Sequence, residues 1–126
     1  MKKFWFFLIA ILLVFEGKEV CFAAAIEDIL SDQEIYVFTQ ATCPHCQAAE
    51  AYLKEKYSTL PIQLKDISDF KNRQMFFACG AKFGLKRTAI GTPLFCMKDH
   101  YIIGWSETAR NQFETYVKEF LPEAPQ

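Results

Sequence analysis

The feature that most constrains the fold is a pair of cysteines, Cys43 and Cys46, that directly follows a strongly apolar run. Residues 35–39 (IYVFT) are β-branched or aromatic, which is typical of a strand buried on both faces. From Pro44 the pattern becomes helical, and its apolar side consists of Ala49, Tyr52, Leu53 and Tyr57. The cysteines are therefore predicted at the first turn of a helix, where main-chain N–H groups lack partners and the helix dipole favours negative charge.

This position suits a reactive thiol, because the thiolate is the nucleophile in disulfide exchange and a helix N-terminus stabilises it. We expect Cys43, at the exposed end of the strand, to be the attacking thiol. Cys46 lies one turn further along and is expected to resolve the mixed disulfide. Pro44 fits the first turn, where its missing N–H costs nothing, and His45 adds a hydrogen-bond donor and some positive charge beside the sulfur.

Two other interpretations of this motif stay open. Cys43, His45 and Cys46 are also the ligands that a soft metal such as copper would use, and the two cysteines are also spaced for a purely structural disulfide. A zinc site is disfavoured, because the sequence has no second Cys-x-x-Cys and only two histidines. We expect no metal and no cofactor.

The first residues have the order of a secretory signal. Lys2 and Lys3 precede an apolar run over residues 4–15, and three alanines at 23–25 offer a cleavage site. The run is shorter than the roughly 20 residues that a bilayer-spanning helix needs. We therefore predict a signal peptide over residues 1–25, which includes Cys21, and one domain over residues 26–126. The protein would be periplasmic or secreted without a stable membrane span; the alternative is a retained inner-membrane anchor.

The charge and the cysteine content of the chain limit the functions and the disulfides that it can have. The chain has 14 basic and 15 acidic residues, a net charge of −1, and no basic run, so nothing favours nucleic-acid binding. A domain of about a hundred residues buries a core without needing disulfides. Cys79 and Cys96 are then either two buried thiols that act as small apolar residues or a structural disulfide. In both cases we expect them to be dispensable for exchange.

The remaining pattern predicts the order β-α-β-α-β-β-α. A second strand covers residues 62–67, and Ser68 or Asp69 caps a second helix. The predicted inner face of this helix consists of Phe70, Phe77 and Ala81. A hairpin follows over residues 94–103, with its turn at residues 98–100, where His100 is expected to be solvated. Ser106 or Thr108 caps a last helix, which Pro122 ends.

These motifs carry a family resemblance that covers residues 35–121. Residues 38–46 (FTQATCPHC) resemble the active-site segment of thioredoxin-fold proteins, and the Pro-His dipeptide resembles that of periplasmic Dsb-type disulfide oxidases. The sequence Gly-Thr-Pro at residues 91–93 resembles the periplasmic disulfide isomerases, and the order of the later motifs is similar to thioredoxins and glutaredoxins. The resemblance implies an α/β, thioredoxin-like fold, in which a central mixed four-stranded sheet is flanked by helices. It also implies a cis Pro93 packed against the cysteines and a Thr92 whose backbone groups bind an extended substrate.

The sequence departs from this family in three respects. Val37 stands where thioredoxins and many Dsb oxidases have a buried acid, so the proton of Cys46 must leave by water or His45. We expect neither the dimerisation domain of the isomerases nor the helical insertion of the large oxidases. No specific pathway role is therefore assigned from the resemblance.

Taken together, the sequence predicts an exported thiol–disulfide oxidoreductase that oxidises protein substrates as a monomer. Its expected partners are exported protein thiols and disulfides, together with a membrane-bound or soluble redox partner. The alternatives are a disulfide reductase or isomerase, a glutaredoxin-like reductant, and a non-enzymatic module that binds metal or a partner protein. Trp105, which follows Gly104, is expected either to flank the substrate groove or to pack in the core.

Overall fold

The centre of the structure is strand β1, Ile35–Thr39, in which all five residues are buried. Ile35 and Val37 face one side of the sheet, and Tyr36 and Phe38 face the other. This burial on both faces agrees with the continuous apolar run in the sequence. The computed structural model describes residues 29–121, so the predicted signal peptide over residues 1–25 and the predicted helix stop at Pro122 lie outside the described residues.

Within residues 29–121, four strands and three helices follow the predicted order. The elements are β1 (Ile35–Thr39), α1 (Pro44–Lys56), β2 (Ile62–Asp66), α2 (Phe70–Lys82), β3 (Leu94–Cys96), β4 (Tyr101–Ile103) and α3 (Glu107–Tyr116), followed by a 3-10 turn at Val117–Glu119. None of the helices within residues 29–121 has the length and apolar character needed to cross a bilayer.

The four strands form one mixed sheet in the order β2-β1-β3-β4. Strands β1 and β2 are parallel, whereas β3 runs antiparallel to both β1 and β4. Phe38 near the end of β1 pairs with Leu94 at the start of β3. The loop that leaves β1 and the loop that enters β3 therefore meet at the same end of the sheet, although they are about fifty residues apart in sequence.

Helices α1 and α3 cover one face of the sheet. Their buried side chains pack with Ile35 and Val37 around Phe95 and Phe113, both fully buried. The Tyr52 hydroxyl of α1 also donates a hydrogen bond to the Glu114 carboxylate of α3. Trp105 stacks on Phe95 with 5.6 Å between ring centroids, so it has a packing role.

Helix α2 covers the other face, but with a different side from the one predicted. Phe76 is 5% exposed and packs edge-on against Phe38, whereas Phe70 is 64% exposed. The predicted inner face is therefore wrong for Phe70 and Ala81, which are exposed, whereas Phe77 is partly buried against the core as predicted. The helix is rotated so that its buried residues are Phe76, Ala78, Cys79 and Gly80.

The side of α2 that faces the sheet includes Cys79, which lies against Cys96 of β3. The two cysteines form a disulfide with their Cα atoms 6.2 Å apart, and both are buried. Of the two alternatives left by the sequence, the structure has the disulfide rather than two thiols.

The end of the chain also differs from the prediction. Helix α3 ends at Tyr116, and the following 3-10 turn brings Val117 into the core. His100, expected to be solvated, stacks on Tyr116 with 3.9 Å between ring centroids and lies 3.5 Å from the Glu119 carboxylate. The hairpin turn is therefore packed against the chain that follows α3.

Candidate active site

Cys43 is the N-cap of α1, and Pro44 begins the helix. Cys43 has an extended conformation (φ −95°, ψ 110°), and its sulfur accepts a hydrogen bond from the main-chain N–H of Cys46 at 3.2 Å. A sulfur therefore takes the place of the side-chain oxygen that usually caps a helix. Pro44 lacks an N–H at the one position where the helix needs none.

The loop before β3 completes the site from the other side. The Thr92–Pro93 peptide bond is cis, as the sequence resemblance implied, and Pro93 is fully buried. The Cys43 thiol donates a hydrogen bond to the Thr92 carbonyl with a sulfur–oxygen distance of 3.7 Å. The antiparallel pairing of β1 and β3 thus brings together two motifs that are distant in sequence. The role of Thr92 and Pro93 in binding substrate stays a prediction.

Hydrogen bonds lower the pKa of the Cys43 thiol. Burial is the largest single influence and raises this pKa, but bonds from Cys46, from Thr92 and from the backbone of His45 outweigh it. Donors of this kind stabilise the thiolate and have little effect on the thiol. A lowered pKa is what the predicted attacking thiol requires, and the role of Cys43 as the nucleophile stays a prediction.

Cys46 has the opposite character. It is only 1% exposed, and burial together with its hydrogen bond to Cys43 raises its pKa. The backbone of Gln40 and the side chain of Thr92 act in the other direction and favour the thiolate, but they do not compensate fully. Both cysteines are free thiols in the structure. The two sulfurs thus differ in exposure and in the direction of their pKa shifts.

Gln40 is a residue of this site that the sequence analysis missed. Its carbonyl accepts a hydrogen bond from the Cys43 N–H at 3.1 Å. Its side-chain oxygen accepts one from the Thr92 hydroxyl at 3.5 Å. A polar residue between a buried strand and the cysteines was the only sequence signal, and such residues are ordinary in loops.

His45 and Pro44 are both exposed on the first turn of α1. The hydrogen bonds found among residues 29–121 include none from the His45 imidazole, so its contribution to the Cys43 sulfur comes from its backbone. Over the same residues, no three His, Cys, Asp or Glu side chains are grouped so that they could hold a metal ion.

An open groove of about 390 Å³ borders the cysteine loop. It is lined by residues 40–42, by residues 66–68 and by Arg73 of α2. The main-chain N–H of Ser68 donates to the Asp66 carboxylate at 2.8 Å, which lowers the pKa of Asp66. The groove therefore presents one cation and one anion close to the cysteine loop.

Comparison with known proteins identifies the fold. No family model matches the chain, and no curated protein matches it significantly. Among solved structures, wheat glutaredoxin is similar with a TM-score of 0.51 and 17% identity over 87% of this chain and 96% of that one. Glutaredoxin 2 from Chlamydomonas reinhardtii, in its oxidised form, gives a TM-score of 0.49 with 16% identity, over 83% of this chain and 94% of that one. A buckwheat glutaredoxin–glutathione complex gives 0.46 with 15% identity, over 79% and 81%.

The chain has a thioredoxin-like fold. The mixed sheet, the three helices and the similarity to wheat glutaredoxin agree on this point. At 17% identity the similarity concerns the fold, and function has to be argued from the site itself.

Proposed function

We propose that this chain is an exported thiol–disulfide oxidoreductase that oxidises protein substrates through Cys43 and Cys46. The observation that carries the proposal is the opposite pKa shift of two sulfurs held one helical turn apart. Disulfide exchange needs one exposed thiol that ionises readily and a second, protected thiol close enough to displace a bound substrate.

In the proposed cycle the protein starts with a Cys43–Cys46 disulfide. A substrate thiolate attacks the Cys43 sulfur, the Cys43–Cys46 bond breaks, and Cys46 leaves as a thiolate that takes up a proton. A second substrate thiolate then attacks the substrate sulfur of the mixed disulfide and displaces Cys43 as a thiolate. The substrate has lost two electrons and the protein has gained them; a redox partner with its own disulfide, membrane-bound or soluble, would take them up.

The oxidising direction is supported by the stabilisation of the Cys43 thiolate. The hydrogen bonds that lower the pKa of Cys43 act only in the reduced protein, because a sulfur in a disulfide carries no charge. Whatever stabilises the dithiol form raises the reduction potential of the couple.

Export is supported by two independent observations. The sequence begins with a basic, then apolar, then small-residue pattern, and Cys79 and Cys96 form a buried disulfide. Structural disulfides persist mainly in oxidising compartments. The proposed location is therefore the periplasm or the extracellular space, where exported proteins supply the thiols.

Trapping of mixed disulfides tests this function. Cys46→Ala should accumulate mixed disulfides with an unfolded model protein that contains disulfides, because Cys43 attacks one sulfur, the other substrate sulfur leaves as a thiolate, and the resolving thiol is gone; Cys43→Ala should form none. Non-reducing gels report both results. In parallel, iodoacetamide at pH 6 should alkylate Cys43 at least about ten times faster than Cys46 in the reduced protein. Equal trapping by the two variants, or equal alkylation rates, would contradict the proposal.

A second candidate is a glutaredoxin-like reductant that uses glutathione, and Arg73 is the observation in its favour. The sequence offered no basic residue next to the cysteines, but the fold places Arg73 in the groove beside them. An arginine at this position suits a carboxylate of a small acidic thiol. If this candidate is correct, Arg73→Ala should raise the KM for glutathione in reduction of a glutathione mixed disulfide, and Lys71→Ala, an exposed cation on the same helix, should not.

A further inference from the structure

Cys46 poses a problem of solvation in this fold. As the resolving thiol it must lose a proton, and as a leaving group it must appear as an anion, yet it is 1% exposed. Val37 of β1 is fully buried in the apolar core and offers no group that could accept a proton. A charge formed at such a site is costly unless a polar group contacts it.

The polar groups that favour a Cys46 thiolate are the backbone of Gln40 and the side chain of Thr92, which belong to two different loops. Thr92 belongs to the loop before β3, and its carbonyl lies 3.7 Å from the Cys43 sulfur, so this residue is at the sulfur pair. Its hydroxyl is 3.5 Å from the Gln40 side-chain oxygen, in the loop after β1. Gln40 itself is exposed. The side chains of Thr92 and Gln40 therefore connect the two sulfurs with solvent.

We propose that Gln40 is a positioning residue for the reaction of Cys46. Its side-chain amide holds the Thr92 hydroxyl at the sulfur pair, where the hydroxyl hydrogen-bonds the Cys46 thiolate whenever that thiolate forms or leaves. This inference rests on the proposed function, because it concerns the departure of Cys46 in the first step of the proposed cycle and the reverse of that step, the attack of Cys46 on a mixed disulfide.

The side-chain amide of Gln40 can hydrogen-bond the Thr92 hydroxyl both when Cys46 is a thiol and when it is a thiolate. While Cys46 is a thiol, the Thr92 hydroxyl donates to the Gln40 oxygen, as observed. When Cys46 is a thiolate, the hydroxyl turns to donate to sulfur, and the amide can turn its NH₂ group to donate to the hydroxyl oxygen. The proton of Cys46 passes to water, the Cys46 sulfur bonds to Cys43, and the substrate thiolate leaves. The Thr92 side chain also lowers the pKa of Cys46, which agrees with this role.

The reaction with dithiobis(nitrobenzoate) separates the two steps without a physiological substrate. Attack by Cys43 releases one nitrothiobenzoate, and attack by Cys46 on the resulting mixed disulfide releases the second. In stopped-flow measurements near neutral pH, Gln40→Ala should slow the second release about tenfold, which corresponds to about 1.4 kcal/mol. The first release should slow less than the second, because the bonds from Cys46 also stabilise the Cys43 thiolate and do not depend on Gln40. The pH profile of the second release should also move to higher pH.

A double-mutant cycle tests whether Gln40 acts through Thr92. Thr92→Val should slow the second release as Gln40→Ala does, and the double variant should be no slower than Thr92→Val alone. Thr92→Ser, which keeps the hydroxyl, should restore the rate. Gln47→Ala is the matched control. It removes a hydrogen bond from the Gln47 side-chain amide to the Ala41 carbonyl of the same loop and leaves the bond between Gln40 and Thr92 in place.

An unchanged second release in Gln40→Ala, additive slowing in the double variant, or equal slowing in Gln47→Ala would each overturn the inference. Absence of the first release in the unaltered protein would instead contradict the proposed function. In that case the titration of Cys46 by thiolate absorbance in Cys43→Ala still decides the role of Gln40. Addition of Gln40→Ala should raise that pKa, and an unmoved titration would overturn the inference.

Discussion

The main-chain N–H of Cys46 points at the sulfur of Cys43, 3.2 Å away. This bond favours a thiolate on Cys43, whereas burial, the side-chain hydrogen bond to Cys43 and the charge of Cys43 disfavour a thiolate on Cys46. Two thiols with the same covalent chemistry therefore become inequivalent through their positions on one helical turn.

This inequivalence predicts a pH-dependent stability of the reduced protein. The folded-state pKa of Cys43 is lowered, so its contribution to stability is fully present above the unfolded-state pKa and is lost as pH falls through the folded-state pKa. Cys46 has a raised pKa, and its contribution is lost only as pH rises through that value. As pH rises from the lowered folded-state pKa of Cys43 towards its unfolded-state pKa, the Tm of the reduced form should therefore rise relative to that of the oxidised form. Above the unfolded-state pKa, Cys46 should oppose the rise.

Thermal unfolding followed by circular dichroism measures this difference. The experiment is best done with Cys79→Ala and Cys96→Ala in place, so that only one redox pair remains. A change of about 1 kcal/mol shifts Tm by roughly 4–8 °C in a domain of this size. In the same background, the Tm of Cys43→Ser should rise less with pH over this range than the Tm of the reduced protein. If the oxidised form melts higher at neutral pH, the protein is a reductant.

The Cys79–Cys96 disulfide should stabilise the fold without taking part in exchange. The sequence separation of 17 residues between the cysteines gives a chain-entropy contribution of roughly 3 kcal/mol. The double variant Cys79→Ala, Cys96→Ala should lose about that amount of unfolding free energy in urea and should keep its rate with dithiobis(nitrobenzoate). Loss of that rate in a variant that is still folded would mean that the second pair is redox-active.

The two phenylalanines of α2 should differ strongly in their contribution to stability. Phe76→Ala removes a buried ring from its contact with Phe38 and should cost about 3–5 kcal/mol. Phe70→Ala, in the first turn of the same helix, should change stability by at most about 0.5 kcal/mol because its ring is exposed. Urea unfolding of both variants checks the orientation of the helix. Equal losses would indicate that α2 is rotated from the position described.

The start of α3 offers a second matched pair. The Ser106 hydroxyl accepts a hydrogen bond from the Ala109 N–H at 3.1 Å and caps the helix, so Ser106→Ala should cost about 1 kcal/mol. Thr108 lies inside the helix and is exposed, so Thr108→Ala should be nearly neutral. The same urea experiment measures both. A larger loss of unfolding free energy in Thr108→Ala than in Ser106→Ala would indicate that Thr108, and not Ser106, caps the helix.

The parts of the fold that sequence predicted well are those fixed by local chemistry. The apolar run of β1 and Pro44 after Cys43 determine where the strand ends and the helix begins. Two residues were predicted as possible caps for each of the last two helices. In the structure α2 is capped by Asp69, which accepts from the Asn72 N–H, and α3 is capped by Ser106, which accepts from the Ala109 N–H.

The parts that sequence did not predict depend on non-local packing. The buried side of α2 is determined by the edge-on contact of Phe76 with Phe38 and by the disulfide with β3. The sequence of α2 has apolar residues on several sides of the helix, so its pattern alone does not predict either contact. The contact between Gln40 and Thr92 joins residues that are 52 positions apart, so it exists only once the sheet is formed.

The pairing of β1 with β3 also has a consequence for the order of events while the chain is being made. Cys43 and Cys46 leave the ribosome well before Thr92, which is 49 residues behind Cys43. Synthesis proceeds at roughly 5–20 residues per second, so the cysteines spend a few seconds without the second half of their site. During that interval they are ordinary thiols on an unfinished chain, open to pairing with Cys79 or with other proteins. The site matures only when β3 has been added to the sheet.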